Sequence, residues 1–382
     1  MVSADLVCCI DEMDSSCDLV GIDVPKSREY EIKREEPIMS KPIRIAVDLA
    51  KNVYQIAIST RPGKITGSRR LSRDQVLHFF ATQPKARVFM EACGTAHYWG
   101  RKIQSLGHDV ILLPPHHVRP YVRGNKTDTT DARGIMDAGG NEDIHPVPIK
   151  TVDQQQMTAL HRMRAGWMKG RVKRLNSLRG HLREFGIFIP VGAHNVVPKT
   201  WEALEDADSG VPDGLRPVLA EACQEIRDID ARIKIATKQI EAIAKQTPVV
   251  ALLMTIPGVG LLTATALVAF LGDIRRFKSG RHLASYLGLT PREYSSGLKR
   301  YLGRISKRGD GYLRTLLIHG ARSTLTHAHR RVPDHFRDWA HQLEARVTHN
   351  KAAVGVANKM ARMIWAVWSK HDEYSSPTVT AH

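Results

Sequence analysis

Nine apolar residues, Leu215, Leu219, Ala222, Ile226, Ile229, Ile233, Ala236, Ile240 and Ile243, alternate steps of four and three along the chain. Four heptads of this kind predict a long helix with one continuous apolar seam, because a 3.5-residue repeat keeps returning side chains to the same side. Such a seam needs cover. It makes a coiled coil, either as a dimer strut or as an antiparallel partner of the preceding helix, or it packs as an ordinary long helix within its own domain. The preceding helix is predicted over Gln154–Phe185. There Met168, Val172, Leu175, Leu178, Leu182 and Phe185 recur at three- and four-residue steps, while Arg162, Arg164, Lys169, Arg171, Lys173, Arg174, Arg179 and Arg183 face a single acid, Glu184. That helix is amphipathic and basic.

The basic character extends further. The 382 residues carry a formal net charge of +17, yet residues 1–40 hold ten acids against four bases, so the remainder carries +23. A surplus of that size favours a polyanion as partner, nucleic acid first, over a generic basic surface kept for solubility. A hydrophobic content of 42% supports real cores in two or three domains. No apolar run approaches the length of a membrane span, and the acidic start is unlike a signal peptide. Five cysteines, Cys8, Cys9, Cys17, Cys93 and Cys223, lack zinc spacing, as do the 18 histidines. A reducing cytosol with neither disulfides nor structural zinc is expected.

Ahead of the helices the pattern is different. Apolar runs at Ile43–Leu49 and Val53–Ser59 flank the short turn Ala50-Lys51-Asn52, and Lys64–Leu71 could add a third strand. Asp74–Thr82 is helix-like, Val88–Ala92 strand-like, Thr95–Leu106 helix-like and Val110–Leu113 strand-like. A meander followed by alternating helices and strands predicts a mixed α/β sheet covered by helices over residues 43–150. Residues 1–40 are expected to be a disordered acidic extension. Residues 151–247 should be helical, 186–214 within them a connector, and 248–372 a further helical domain, with a flexible tail at 373–382. Within it Ile256-Pro257-Gly258-Val259-Gly260 separates two apolar stretches, as in a helix-hairpin-helix element whose turn amides meet a backbone phosphate. A plain interhelical turn has the same signature. Phe336–Trp368 reads as amphipathic helix.

Two acids stand out on apolar strands, Asp48 late in the first and Glu91 at the end of another, where buried charge needs a partner. Asp128 and Asp131 lie three apart at a predicted helix start and so share a face. Four hard carboxylates suit Mg²⁺ ions engaged in phosphodiester chemistry. The plain alternative for Asp128 or Asp131 is helix capping. Far away, Ser295-Ser296-Gly297 is surrounded by Arg292, Lys299, Arg300, Arg304, Lys307 and Arg308, with Glu293 the only nearby acid before Asp310. That segment can admit a phosphate backbone. A serine there is a nucleophile only with help from a base, a metal or nearby cations. Composition alone favours the milder role, serines that only donate hydrogen bonds to phosphate.

Taken in order, these segments resemble the DEDD-type transposases of insertion sequences, the family whose recombinases use a bridge RNA. The resemblance rests on Ala46-Val47-Asp48-Leu49-Ala50-Lys51, Phe89-Met90-Glu91-Ala92-Cys93-Gly94 and Gly124-Asn125-Lys126-Thr127-Asp128-Thr129-Thr130-Asp131-Ala132. It continues through Arg183-Glu184-Phe185-Gly186, Ile256-Pro257-Gly258-Val259-Gly260, Gly288-Leu289-Thr290-Pro291-Arg292 and Ile305-Ser306-Lys307-Arg308-Gly309-Asp310. It covers roughly residues 43–370. It implies an RNase H-like (RuvC-like) N-terminal domain whose metal-holding acids are Asp48, Glu91, Asp128 and Asp131, then coiled-coil helices, then an all-α transposase domain carrying a nucleophilic serine. By its place before the glycine, that serine matches Ser296, with Ser295 beside it. The resemblance further implies Mg²⁺, donor and target double-stranded DNA, a noncoding bridge RNA, and a dimer assembling to a tetramer in which acids and serine come from different protomers. Arg171, Lys173 and Arg174, with the cations around the serine, would hold nucleic-acid backbone. The expected location is the prokaryotic cytoplasm, at the nucleoid, with no membrane partner.

Three rivals share parts of this pattern. A Holliday-junction resolvase of the same N-terminal fold uses metal-activated water and leaves the C-terminal residues unexplained. A non-enzymatic nucleic-acid scaffold leaves the acids idle. An actin-like kinase needs a glycine-rich phosphate turn where this chain has Leu49-Ala50-Lys51.

Overall fold

The apolar run Ile43–Leu49 forms strand β1, and three residues turn it into the antiparallel β2 (Val53–Ser59). β3 (Gly67–Ser72) pairs with the outer edge of β2. It starts later than the sequence suggests, because Lys64 pairs with Arg61 in a separate bridge. Helix α1 (Gln75–Thr82) carries the chain back so that β4 (Ala86–Glu91) lies parallel to β1, and α2 (Ala96–Gln104) does the same for β5 (Asp109–Leu113). The sheet order is β3-β2-β1-β4-β5, the predicted mixed sheet. After the short α3 (Pro115–Val118) comes α4 (Asp128–Gly139). This computed structural model describes residues 43–61, 64–123, 127–326 and 334–375. The acidic extension expected at 1–40, and Gly124-Asn125-Lys126 of the acid-bearing motif, lie outside the described residues.

Strand alternation sorts the sheet's side chains onto two faces. Ile45, Val47, Tyr54, Ile56, Val88 and Met90 point to one core with Phe80, Trp99 and Ile103. The indole of Trp99 donates to the Tyr54 hydroxyl at 3.1 Å, which satisfies a buried polar pair. Ala46, Ala57, Phe89 and Leu113 point the other way, against Ala132, Ile135, Met136 and Ala138 of α4. Small residues allow that helix to come close: a Cβ on Gly139 would sit 2.5 Å from the Phe89 ring.

The second unit, from Asp153 onward, is described by itself. Helix α5 (Val152–Glu184) is the basic helix and α7 (Arg216–Lys245) the heptad helix, with α6 (Val196–Glu205) inside the segment expected to be a connector. Arg164 donates to Thr237, Arg171 to Asp230, and Arg174 pairs with Glu225. Numbers rise on one helix as they fall on the other, so the two are antiparallel. Leu175, Leu178 and Leu182 of α5 share a core with Leu219, Cys223 and Ile226 of α7. The heptad seam is thus covered within the chain by the basic helix.

Beyond α7 run α8 (Pro248–Met254), α9 (Leu261–Leu271), α10 (Gly280–Tyr286), α11 (Gly311–Thr326), α12 (His335–Arg346) and α13 (His349–Lys370). α9 and α13 supply much of one core that includes Ala264, Leu267, Leu271, Ala353, Val356, Met360 and Ile364. The single helix expected over Phe336–Trp368 is two, broken at Val347-Thr348. In the Pro257–Gly260 turn, Gly258 has φ +83° and its α-carbon lies against α11, where a Cβ would meet the Gly320 carbonyl at 2.7 Å. The region is not all-α as expected. Between α10 and α11 stands a two-stranded antiparallel sheet, β6 (Pro291–Glu293) and β7 (Leu302–Ile305). Of the tail expected to be flexible, Tyr374 is anchored: its hydroxyl donates to Asp334 at 2.9 Å and its amide to Thr255 at 3.0 Å. Residues 376–382 lie outside the described residues. Among the described residues no helix is long and apolar enough to cross a membrane.

Where α5 meets this core, His161 is fully buried, with one ring nitrogen 3.0 Å from the Tyr312 hydroxyl and the other 3.0 Å from Thr265 Oγ1. Burial, aided by the charge of Arg164, pulls the imidazole down to about 4, and burial pushes the Tyr312 phenol up. The unfolded chain takes up the histidine proton near 6.5, whereas the folded chain resists it until about 4. Stability is therefore full above pH 6.5 and declines as pH falls through that window, by up to about 3 kcal/mol. Urea denaturation at pH 7 and pH 4.5 should show this fall in midpoint, and His161→Gln should flatten it.

Candidate active site

The four acids are carried by three neighbouring elements of the first unit. β1 and β4 run parallel with Val47 beside Met90, which brings Asp48 and Glu91 to adjacent positions at the ends of their strands. By strand alternation Asp48 falls on the face of Ala46, and Glu91 on the face of Phe89. Both are therefore on the α4 side of the sheet. Along α4, Asp128 and Asp131 precede Ala132 and Ile135 by one turn, so they extend the stripe that packs on that face. The last turn of α4 lies by the start of β1, where a Cβ on Gly140 would be 3.7 Å from the Arg44 guanidinium. Its first turn is thus directed to the other end of β1, toward Asp48.

Capping is performed by neither aspartate. Thr127 is the N-cap: its hydroxyl accepts from the Thr130 amide at 3.2 Å, and its own amide donates to Thr130 Oγ1 at 2.9 Å. The aspartates are left at the positive end of the helix dipole. Across the sheet, the row through Asp48 continues to Gln55 and then Arg70. Gln55 is buried at 4% exposure, accepts from Arg70 Nε at 3.2 Å and donates to Ser68 at 2.7 Å. Arg70 stands 3.8 Å from the Asp128 carboxylate. Neither Gln55 nor Arg70 was among the sequence candidates. A lone glutamine inside the apolar run Val53–Ser59 was the available signal.

The donor set fits a hard divalent cation in its chemistry, being all carboxylate oxygen. The carboxylates do not, however, close into one coordination group. Among the described residues no three His, Cys, Asp or Glu side chains stand together closely enough to hold an ion. The first turn of α4 has Arg70 as its neighbour.

In the second unit the serine doublet lies at the tip of the β6–β7 hairpin. Ser296 and Lys299 exchange backbone hydrogen bonds at 3.2 Å, which leaves Gly297-Leu298 as a two-residue loop. Gly297 takes φ +57° and Leu298 is not in the positive region, the pattern of a type II′ turn. Alternation then parts the two serines. Ser295 faces Glu293, to which its hydroxyl donates at 2.6 Å, and it accepts from the Tyr301 amide at 3.2 Å. Ser296 is on the opposite face, exposed, among the described residues without a side-chain hydrogen bond. Ser295 shapes the hairpin; Ser296 is presented by it.

Cations line the hairpin from tip to base. Lys299, Arg304, Lys307 and Arg308 are exposed; Arg292 reaches the Ser306 carbonyl at 3.2 Å, and Arg300 stands 3.7 Å from Glu293. On α5 only Lys173 of the three expected contacts is uncommitted in this way. Arg171 and Arg174 are held by Asp230 and Glu225, and the Arg174 hydrogen bond keeps the Glu225 carboxyl below its ordinary range. The hairpin's base is fixed by close backbone packing. A Cβ on Gly309, at φ +71°, would lie 2.0 Å from the Tyr286 carbonyl oxygen. Gly309→Ala should accordingly destabilise by roughly 3 kcal/mol or more, read as a lowered urea midpoint.

Two family models match the chain. Residues 250–337 match the family described as transposase IS116/IS110/IS902, and residues 45–187 match the DEDD transposase family of IS110 elements. The chain is 40% identical over 334 residues to a protein named probable family 20 transposase from Pseudomonas aeruginosa, covering 87% of this chain and 98% of the relative. It is 37% identical to the transposase for insertion sequence element IS1111A of Coxiella burnetii, covering 87% and 92%. With the transposase for insertion sequence element IS1328 of Yersinia enterocolitica the figures are 36%, 87% and 98%. A DEDD domain implies dependence on a divalent metal in general terms. On these matches over both parts of its length, the chain belongs to the IS110/IS116 family of insertion-sequence transposases.

Proposed function

We propose that this transposase is a recombinase that cuts and rejoins DNA through Ser296, with Mg²⁺ at Asp48, Glu91, Asp128 and Asp131 and with a noncoding bridge RNA as guide. The observation that carries the reading is the pairing of Asp48 with Glu91 at the ends of adjacent parallel strands, on the face that leads into Asp128 and Asp131. The same feature, together with the order β3-β2-β1-β4-β5, supports reading the sheet as RNase H-like.

A divalent cation bound by these acids supplies Lewis-acid polarisation of the scissile phosphate and of its leaving oxygen. The chain's own groups do the rest. Lys299, paired with Ser296 across the hairpin, draws the phosphate to its tip. The Ser296 hydroxyl, released from internal hydrogen bonding, attacks phosphorus and gives up its proton to solvent. A bond from Oγ to phosphorus forms as the bond from phosphorus to the 3′ oxygen breaks. That oxygen takes up a proton from solvent and leaves as a 3′-OH. Attack by a 3′-OH on the phosphoserine reverses the step and reseals the strand with no net loss of bond energy. Acids and serine act on one phosphodiester as contributions of different protomers. Exposed cations on the hairpin and Lys173 bind backbone of DNA and RNA.

The guide is tested by purifying the protein from cells that carry its native flanking DNA and sequencing what co-purifies. One discrete noncoding RNA encoded beside the gene is the expected result. Random fragments, from protein that still binds DNA, would leave a nuclease acting without a guide.

A further inference from the structure

Two tyrosines of the serine hairpin remain unused by this chemistry. The registers Glu293–Leu302 and Ser296–Lys299 set Tyr294 directly opposite Tyr301. Alternation places both on the face of Ser296 and Lys299, away from Ser295, Glu293 and Arg300. The ring centroids are 6.3 Å apart, and the residues are 59% and 62% exposed. The Tyr294 ring lies across Gly303, where a Cβ would come within 3.1 Å of it. A glycine under one side of the ring and solvent on the other leaves an open aromatic surface. Leu298, at the tip, is also fully exposed.

Exposed rings that share a hairpin face with Lys299 have an evident complement. A nucleotide offers anionic oxygen to the lysine and a π face to the rings, and base-on-ring stacking tolerates any base. The spacing suits one nucleotide: two residues of strand, about 7 Å, separate Ser296 from Tyr294. We infer that Tyr294 and Tyr301 form a stacking platform for an unpaired base next to the phosphate held at Ser296. The platform orients the strand and keeps the base out of the duplex. This inference deepens the proposed role of the hairpin and rests on it.

The test uses the full chain and two single-stranded probes, an abasic strand carrying one central 2-aminopurine and the same strand wholly abasic. Wild type should bind the first roughly tenfold more tightly and quench its fluorescence. The double variant Tyr294→Ala, Tyr301→Ala should lose both effects while keeping its affinity for the abasic strand; Tyr294→Phe, Tyr301→Phe should retain both. Equal affinity of wild type for the two probes, or quenching that survives in the alanine variant, overturns the platform. An equal loss of both probes by the alanine variant also overturns it, since the rings would then only hold the hairpin's shape. Ser296→Ala keeps the quench on this reading. A Ser296→Ala protein that still cuts DNA would remove the nucleophile and leave the platform standing.

Discussion

Ser296→Ala should abolish the covalent protein–DNA adduct and lower strand cleavage by roughly 10⁴-fold or more, the scale of losing a protein nucleophile. Ser295→Ala should not act the same way. Its hydroxyl bridges Glu293 and the Tyr301 amide, so its removal loosens the hairpin by about 1 kcal/mol. Some activity is then lost, but the adduct persists. Denaturing gels of each variant with end-labelled DNA separate the two outcomes, and phosphopeptide mapping of the wild-type adduct should find Ser296. Adduct formation by Ser296→Ala would move the nucleophile to another side chain, whereas full cleavage without any adduct would return the chemistry to metal-activated water as in a resolvase.

Asp48→Asn and Glu91→Gln should each reduce cleavage by roughly 10³-fold or more while DNA affinity stays within a few fold. The substitutions keep size and hydrogen bonding but remove the charge. Because both residues are half-buried at strand ends, folding should survive, which circular dichroism checks. Calorimetric titration with Mg²⁺ or Mn²⁺ supplies a readout separate from turnover: both variants should bind the ion more weakly than wild type. Unchanged cleavage by either variant removes that residue from the catalytic set. Equal loss of DNA binding would make the acids structural, and the scaffold reading would gain.

Much of this was legible in the chain. β1 and β2 begin and end where their apolar runs do, since in-and-out alternation and flanking turn residues mark a strand locally. The hairpin around Ser296 was not legible as strands. Its exposed Arg, Lys, Tyr and Gly residues have no buried face to create alternation, and its form is set by a positive φ at Gly297 and by Gly309 against Tyr286. Gln55 and Arg70 were missed for another reason. They join Asp48 and Asp128 only through the register of three strands, information that no local window contains.

The heptad helix divides the two kinds of knowledge most plainly. Its periodicity by itself determined that residues 215–243 form one helix with one apolar seam, because helical geometry fixes which side chains share a side. What covers the seam was decided by tertiary structure: Arg164, Arg171 and Arg174 meet partners on α7 in reverse order, and the basic helix lies against it. The same holds at the acids. The sequence determined which four carboxylates exist and that two sit on strands. Only the parallel pairing of β1 with β4 set Asp48 beside Glu91, and only packing laid α4 on that same face, because contacts between distant segments depend on the whole chain's packing rather than on any local preference.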